Sequence, residues 1–236
     1  GDGVREAIAL VRVDGAVEVV VAELQDDLSV TLGGEPTPVQ EDIYRLDAGD
    51  LDGDGSLELV LCGSLPPGGT GESSLAVFNY SAAGGYTPGR RLPFDAQLCC
   101  LADLDGDTDL DLVAASAGSF RFLVNDGKGG LQETSPALKL ERDGGFPLRL
   151  YALDVDSDWD LDIICLRQWQ GADGKITSRV QVLNNDRSDP GGFGGFSEIT
   201  TACGLKDFDL ALLELAVVDL DGDVDLDLAV FDGQGT

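Results

Sequence analysis

Acidic side chains recur in this chain at one fixed spacing. Asp50, Asp52, Asp54 and Glu58 stand in DLDGDGSLELVL, and Asp103, Asp105, Asp107 and Asp111 in DLDGDTDLDLVA. Asp154, Asp156, Asp158 and Asp162 take the same places in DVDSDWDLDIIC, as do Asp219, Asp221, Asp223 and Asp227 in DLDGDVDLDLAV. Numbered from its first Asp, each stretch carries carboxylates at positions 1, 3, 5 and 9. Position 7 is Ser56, Asp109, Asp160 or Asp225. The opening GDGVREAIAL reads as the second half of the same motif, with Asp2 matching Asp54 and Glu6 matching Glu58.

Four or five carboxylates within nine residues repel one another unless a cation sits among them. Calcium takes six to eight oxygen ligands at about 2.3–2.6 Å. Acids at positions 1, 3 and 5 can curl around one ion, position 7 can offer its main-chain oxygen, and position 9 can close the cage. An EF-hand closes instead with Glu at position 12 and lies between helices. Here an apolar run begins at the closing acid, so the expectation is a calcium loop joining two strands, with about four sites in the chain. Gly53, Gly106 and Gly222 at position 4, and Gly55 at position 6, permit the tight turn. The Asp154 loop has Ser157 and Trp159 there and is expected to bind more weakly. Magnesium, which demands a rigid octahedron, fits less well, and a chain without His offers little to zinc or iron. Acidic decoration of exposed turns is the plainer alternative; recurrence at one spacing argues against it.

The elements that must position these loops repeat with them. First ligand-like Asp residues lie 53, 51 and 65 residues apart, a period that points to propellers or solenoids. Short apolar segments precede each loop (IYRLDAG, QLCCLA, LRLYAL, LLELAVV) and follow it (LELVLCG, LDLVAAS, LDIICLR, LDLAVFD). Past Gly and Ser punctuation come LAVFNY, FRFLVND and VQVLNND, matched in the first repeat by AVEVVVAEL, and then a weaker fourth segment such as LQETSPALKL. These runs show no sustained helical period, and LALLELAVV at 210–218 also reads as a strand. Asn125-Asp126-Gly127 and Asn185-Asp186 would turn the chain after the third strand. Four short antiparallel strands per period describe a propeller blade. The fold class expected is therefore all-β, a β-propeller of four-stranded blades with the acidic loop between the first two strands. Repeats run at about 1–49, 50–102, 103–153, 154–218 and, in part, 219–236.

Composition limits the function. The 236 residues are 43% hydrophobic and carry 15 basic against 44 acidic side chains, a net charge of −29. Nearly half of those acids fall in the five motifs, which ties the charge to cation chemistry. No cluster of Lys and Arg suggests nucleic acid or an anionic membrane, and no apolar run is long enough for a transmembrane helix. The lack of an initiator Met and of a signal-peptide core, with the truncated first motif, suggests a processed chain or a segment of a longer one. Five cysteines in no metal-ligand spacing read mainly as small buried hydrophobes.

The pattern D-x-D-G-D-x-x-x-D followed by an apolar strand resembles the FG-GAP / VCBS repeat family, the calcium-loop propellers related to integrin alpha-subunit heads. FLVNDGKGGLQETSPAL and VLNNDRSDPGGFGGFSEITTACGL look like that family's asparagine-rich third strand and the segment after it. The resemblance implies a propeller, usually seven-bladed, in secreted or cell-surface proteins. Its calcium ligands, carried over by position, would be Asp50, Asp52, Asp54, Ser56 (main chain) and Glu58, with the matching residues of the other three loops. Three whole blades, a front piece lacking its first strand and a two-stranded tail suggest either a ring closed by the tail or the blades of a bigger propeller.

Without His, Ser-His-Asp and Cys-His catalysis are excluded within this chain, and no P-loop or G-x-S-x-G elbow is present. The expected function is a calcium-binding, non-catalytic scaffold for extracellular adhesion or protein interaction. The alternative is a carbohydrate-binding, lectin-like or accessory domain of a larger polysaccharide-active enzyme. Partners would be a protein or glycan, with no nucleic acid, no membrane insertion, and further blades or subunits in a larger assembly. Trp159, Trp169, Tyr86, Phe193 and Phe196 are candidates for stacking on sugars, with packing between blades as the plainer reading. Asn79-Tyr80-Ser81 is a glycosylation sequon.

Overall fold

A computed structural model describes residues 5–25, 27, 29–32, 35–39, 43–63, 75–81, 85–94, 96–134, 138, 140–142, 144–187, 192–223 and 226–232. Among them every regular element is a strand. Asp2, one half of the truncated first motif, and Asp225, at position 7 of the last loop, lie outside the described residues. No helix among them is long and apolar enough to cross a membrane.

Sheet 1 comprises β1 (Arg5–Val13), β2 (Ala16–Leu24), β3 (Val30–Leu32) and β4 (Thr37–Val39). Asp14 and Gly15, both at positive φ, join β1 to β2 in a two-residue turn whose twist suits a hairpin. β3 pairs with Ala22–Leu24 and β4 with Val17–Val19, so two short strands together occupy one edge of β2. Sheet 2 runs in the order β5 (Ile43–Gly49), β6 (Glu58–Gly63), β7 (Ala76–Ser81), β8 (Gly85–Arg91). Sheet 3 contains β9 (Leu98–Ala102), β10 (Asp111–Ser116), β11 (Ser119–Val124) and β12 (Gln132–Glu133). Sheet 4 contains β13 (Phe146–Leu153), β14 (Asp162–Gln170), β15 (Ile176–Asn185) and β16 (Phe196–Glu198). A hairpin of β17 (Glu214–Val218) and β18 (Asp227–Phe231) ends the described chain. The described strand registers are antiparallel throughout.

Patterning explains the order within each sheet. The second strands, β6, β10 and β14, are continuous apolar runs and are buried almost end to end. Such a run is stable as a strand only with a neighbour on each edge and cover on both faces. Fourth strands vary in length, from Gly85–Arg91 in β8 to Gln132–Glu133 in β12, where Thr134 N adds a bond to Phe122 O at 2.9 Å. Of LALLELAVV, Glu214–Val218 form the strand; residues 210–213 are irregular, with Leu213 N donating to Phe231 O at 2.7 Å.

The chain divides into two compact units, Gly1–Cys99 with Gly127–Gly130, and Cys100–Asp126 with Leu131–Thr236. The first has a core of Val17, Val19, Ile43, Leu59, Leu61 and Phe78. The second has two clusters. One centres on Phe122, stacked on Phe196 at 4.3 Å and flanked by Phe193. The other joins Ile164, Leu166 and Val180 to Leu212 and Leu215. Phe193, Phe196 and Tyr86 thus pack inside the protein, and Trp169 is half-buried beneath the Arg142 guanidinium. Of the five stacking candidates only Trp159 is fully presented, at 89% exposure. Cys62, Cys100 and Cys165 are buried, Cys99 is half-buried and Cys203 is exposed.

Candidate metal centre

Each acidic stretch joins the first and second strand of its sheet, β5 to β6, β9 to β10, β13 to β14 and β17 to β18. The loop folds on its own carboxylates. At position 1, Asp50 accepts the backbone amides of Gly53 (2.8 Å) and Gly55 (2.9 Å). Asp103 accepts those of Gly106 (2.7 Å) and Thr108 (3.0 Å). Asp154 accepts Asp158 and Trp159, both at 3.1 Å, and Asp219 accepts Gly222 at 2.7 Å. Position 9 closes the loop on position 2: Glu58 accepts Leu51 N, Asp111 Leu104 N, Asp162 Val155 N and Asp227 Leu220 N, all at 2.8–2.9 Å.

This wrapping brings together positions 1, 3 and 9. Asp50, Asp52 and Glu58 each place one carboxylate oxygen within 4.8 Å of the others. So do Asp103, Asp105 and Asp111; Asp154, Asp156 and Asp162; and Asp219, Asp221 and Asp227. Position 5 stands apart from these groups: Asp54, Asp107 and Asp158 accept the amides of Ser56, Asp109 and Asp160. Asp223, the fourth residue at position 5, is likewise outside the converging group. At position 7 the Asp160 side chain is buried and ion-paired with Arg187. Three carboxylates with no nitrogen or sulfur donor form a hard, all-oxygen set that suits calcium by charge and ligand type.

Burial pushes three position-9 carboxyls up, those of Glu58, Asp111 and Asp162. Asp111 rises from 3.8 to about 6, first through desolvation and then through Asp105 and Asp107, against the two amides it accepts. Glu58 and Asp162 shift the same way, again chiefly through burial, as do Asp105 and Asp156 at position 3. Carboxyls this crowded and dehydrated gain from a bound cation.

Two features lay outside the sequence reading. First, Asn125, just past β11, and Asn185, the last residue of β15, act as clamps. Each main-chain amide donates to the second oxygen of the closing acid, Asn125 to Asp111 and Asn185 to Asp162, both at 2.8 Å. The side-chain amide of Asn125 donates to Leu110 O (3.0 Å), and that of Asn185 to Leu104 O (2.8 Å) and Leu161 O (3.3 Å). The positive φ expected of the Asn-Asp-Gly turn belongs to Gly127 alone. In sheet 2, Leu59 pairs with Phe78, which brings Tyr80 to the place that Asn holds elsewhere. Second, position 6 is left-handed in each described case: Gly55 (φ 88°), Thr108 (80°) and Trp159 (74°). Ser157 at position 4 is also left-handed (65°). Arg187 holds the Asp154 loop, donating to Trp159 O at 3.2 Å besides pairing with Asp160. Beside the Asp50 loop lies a polar cavity of about 260 Å³ lined by Asp52, Glu58, Asn79, Arg90 and Lys128.

Residues 103–165, which hold the two acidic loops that begin at Asp103 and Asp154 and the strands between them, match the FG-GAP-like repeat family. No curated protein matches the chain. Among solved structures it is similar to a lectin of Agrocybe aegerita, described as specifically recognising non-reducing terminal N-acetylglucosamine, at 16% identity and a TM-score of 0.54. The match covers 96% of this chain and 60% of the lectin chain, so this chain spans less than two thirds of that structure. At that identity the likeness is one of fold.

Proposed function

We propose that the chain is a calcium-binding, non-catalytic scaffold whose four-stranded sheets are blades of a β-propeller, working outside the cell in adhesion or protein interaction. The observation that carries this is the convergence of three carboxylates in each of four loops, at positions set by one repeated motif. In each site positions 1, 3 and 9 would hold the ion, with the position-7 carbonyl as a further oxygen. Neutralising crowded acids there would stabilise the folded state by linkage. The FG-GAP-like match over 103–165 supports the reading of the sheets as repeats of one kind. The test is a thermal melt of metal-free protein against the same protein in millimolar calcium, with magnesium as control. A large rise with calcium alone is expected; equal melts in all three would remove the basis of the reading.

A second reading is favoured by the similarity of nearly the whole chain to a lectin fold: a carbohydrate-binding module or accessory domain of a larger polysaccharide-active enzyme. Its test is a glycan array including terminal N-acetylglucosamine, followed by titration of any hit. Trp159, exposed on an acidic loop, is the side chain best placed to stack on a sugar.

A further inference from the structure

The Asp50 loop differs from the loops of sheets 3 and 4 at its closing acid. In those sheets the acid is an Asp with both oxygens taken, one by a loop amide and one by the amide of Asn125 or Asn185. In sheet 2 it is Glu58, one methylene longer, and Tyr80 stands where the Asn would be. Among the described residues Glu58 accepts Leu51 N alone, on Oε2. Glu58 is 6% exposed, and it lines the polar cavity of about 260 Å³ in the first compact unit. A dehydrated carboxylate with one oxygen left without a donor, on the wall of a cavity, calls for a ligand there.

Bases share that wall. Arg90 and Lys128 line the cavity with Asp52, Glu58 and Asn79. Arg90 donates to Gly129 O at 2.6 Å, and no described carboxylate pairs with it. In a chain of 44 acidic and 15 basic side chains, an arginine held only by a carbonyl is open to an incoming anion. Asn79 is fixed against Gly89, where a Cβ would come within 3.1 Å of its Oδ1. Charge then decides what enters. Asp50, Asp52 and Glu58 outnumber the two bases, so the site without a metal is one charge negative and repels anions. A divalent ion on the three carboxylates turns it one charge positive. The loop converges one oxygen from each of those acids, and calcium takes six to eight, which leaves places for the oxygens of a ligand.

We propose that this cavity binds a carboxylated sugar unit, its carboxylate shared between the ion of the Asp50 loop and the bases Arg90 and Lys128, and its hydroxyls bonded to Asn79. The polar side chains of the wall suit hydroxyls better than an apolar group. The volume lies below that of pockets for drug-sized molecules, which limits the occupant to a small unit. The inference rests on the calcium reading of the loop and adds to it a ligand and a switch, because removing the ion reverses the sign of the site.

The test is calorimetric titration of the full chain with sodium glucuronate, in excess calcium and in chelator, with glucose as the uncharged ring. Glucuronate should bind in calcium and roughly tenfold more weakly in chelator, and glucose roughly tenfold more weakly than glucuronate in either. Arg90→Gln and Lys128→Gln should each weaken glucuronate by about tenfold, the size of one charged hydrogen bond. Melts of both variants should still rise with calcium as the parent's does, which shows that they fold and keep their ions. A chain that melts higher in calcium yet gives no heat with glucuronate would overturn the proposal and leave the calcium reading standing. Equal melts with and without calcium would remove both. Glucose binding as tightly as glucuronate would make this a site for neutral sugars, and N-acetyl-aspartate amide doing so would make it one for acidic peptides; either result overturns the assignment.

Discussion

Asn185 donates its side-chain amide to the carbonyl of Leu104 at 2.8 Å, across 81 residues of sequence. Both groups are buried, and both belong to acidic loops or their clamps. The bond ties the loop of sheet 3 to the clamp of sheet 4, so the geometry of one carboxylate cluster depends on the sheet that follows it.

Replacing this clamp should therefore cost more than an ordinary surface change. Asn185→Ala removes bonds to Leu104 O and Leu161 O and leaves buried carbonyls without them, a loss of about 1–3 kcal/mol. Asn125→Ala, which loses the bond to Leu110 O, should destabilise in the same direction. Urea unfolding in saturating calcium measures both; equal, negligible effects would mean that water replaces the amide without loss.

Left-handed backbone at Thr108 and Trp159 is strain that glycine relieves. Thr108→Gly and Trp159→Gly should each stabilise the protein by about 1 kcal/mol, less what glycine costs in the unfolded chain. For a chain of this size that is a rise of roughly 2–4 °C in Tm. Gly106→Ala should do the reverse, since Gly106 has φ 76° and an added methyl would displace the Arg187 guanidinium. Calorimetry decides; a lower Tm for both glycine variants would show that side-chain contacts outweigh the strain.

The pair of Arg187 and Asp160 is buried on both sides, with side-chain exposures of 14% and 6%. Arg187→Ala leaves Asp160 unpaired in that setting and should cost about 3 kcal/mol. Combining it with Asp160→Asn should recover most of the loss. A double variant as unstable as the single one would mean that the bond from Arg187 to Trp159 O matters more than the ion pair.

Acid should stabilise the metal-free protein over a defined window. The Asp111 carboxyl lies at about 6 in the folded chain against an ordinary 3.8, so the folded state takes up its proton first. Stability then increases as pH falls from about 7 through 6 towards 4, and Glu58 and Asp162 shift in the same direction. On the proposed function calcium would compete for the ionised form, so any stabilisation it gives should shrink over the same window. Melts with chelator and with calcium, at half-unit steps from pH 4.5 to 7.5, read both trends; a chelated protein that melts lower at pH 5 than at pH 7 would contradict the first.

Thiol accessibility offers a simple check on packing. Cys203 is exposed, Cys99 half-buried, and Cys62, Cys100 and Cys165 buried, with burial raising the Cys165 thiol to about 11. Native labelling with maleimide should modify Cys203 first and Cys99 next, and the other three only after unfolding, as mass spectrometry of the peptides would report.

Much of this architecture is local and therefore legible in sequence. IYRLDAG and AVEVVVAEL coincide with β5 and β2, because short apolar runs bounded by Gly and Asp carry their own limits. The 1-3-5-9 spacing located every acidic loop, since a nine-residue turn is folded largely by its own carboxylates and amides. What sequence spacing left open depends on strands that meet from far away. Their register turned Asn125 and Asn185 from turn formers into clamps on the closing acids. Tertiary packing alone paired Arg187 with Asp160, and buried Phe196 and Tyr86 with Phe193 half-buried beside them while leaving Trp159 outside. The physical reason is range: a hydrogen bond within a loop is fixed by a few dihedrals, whereas one between strands is fixed by the pairing of whole sheets.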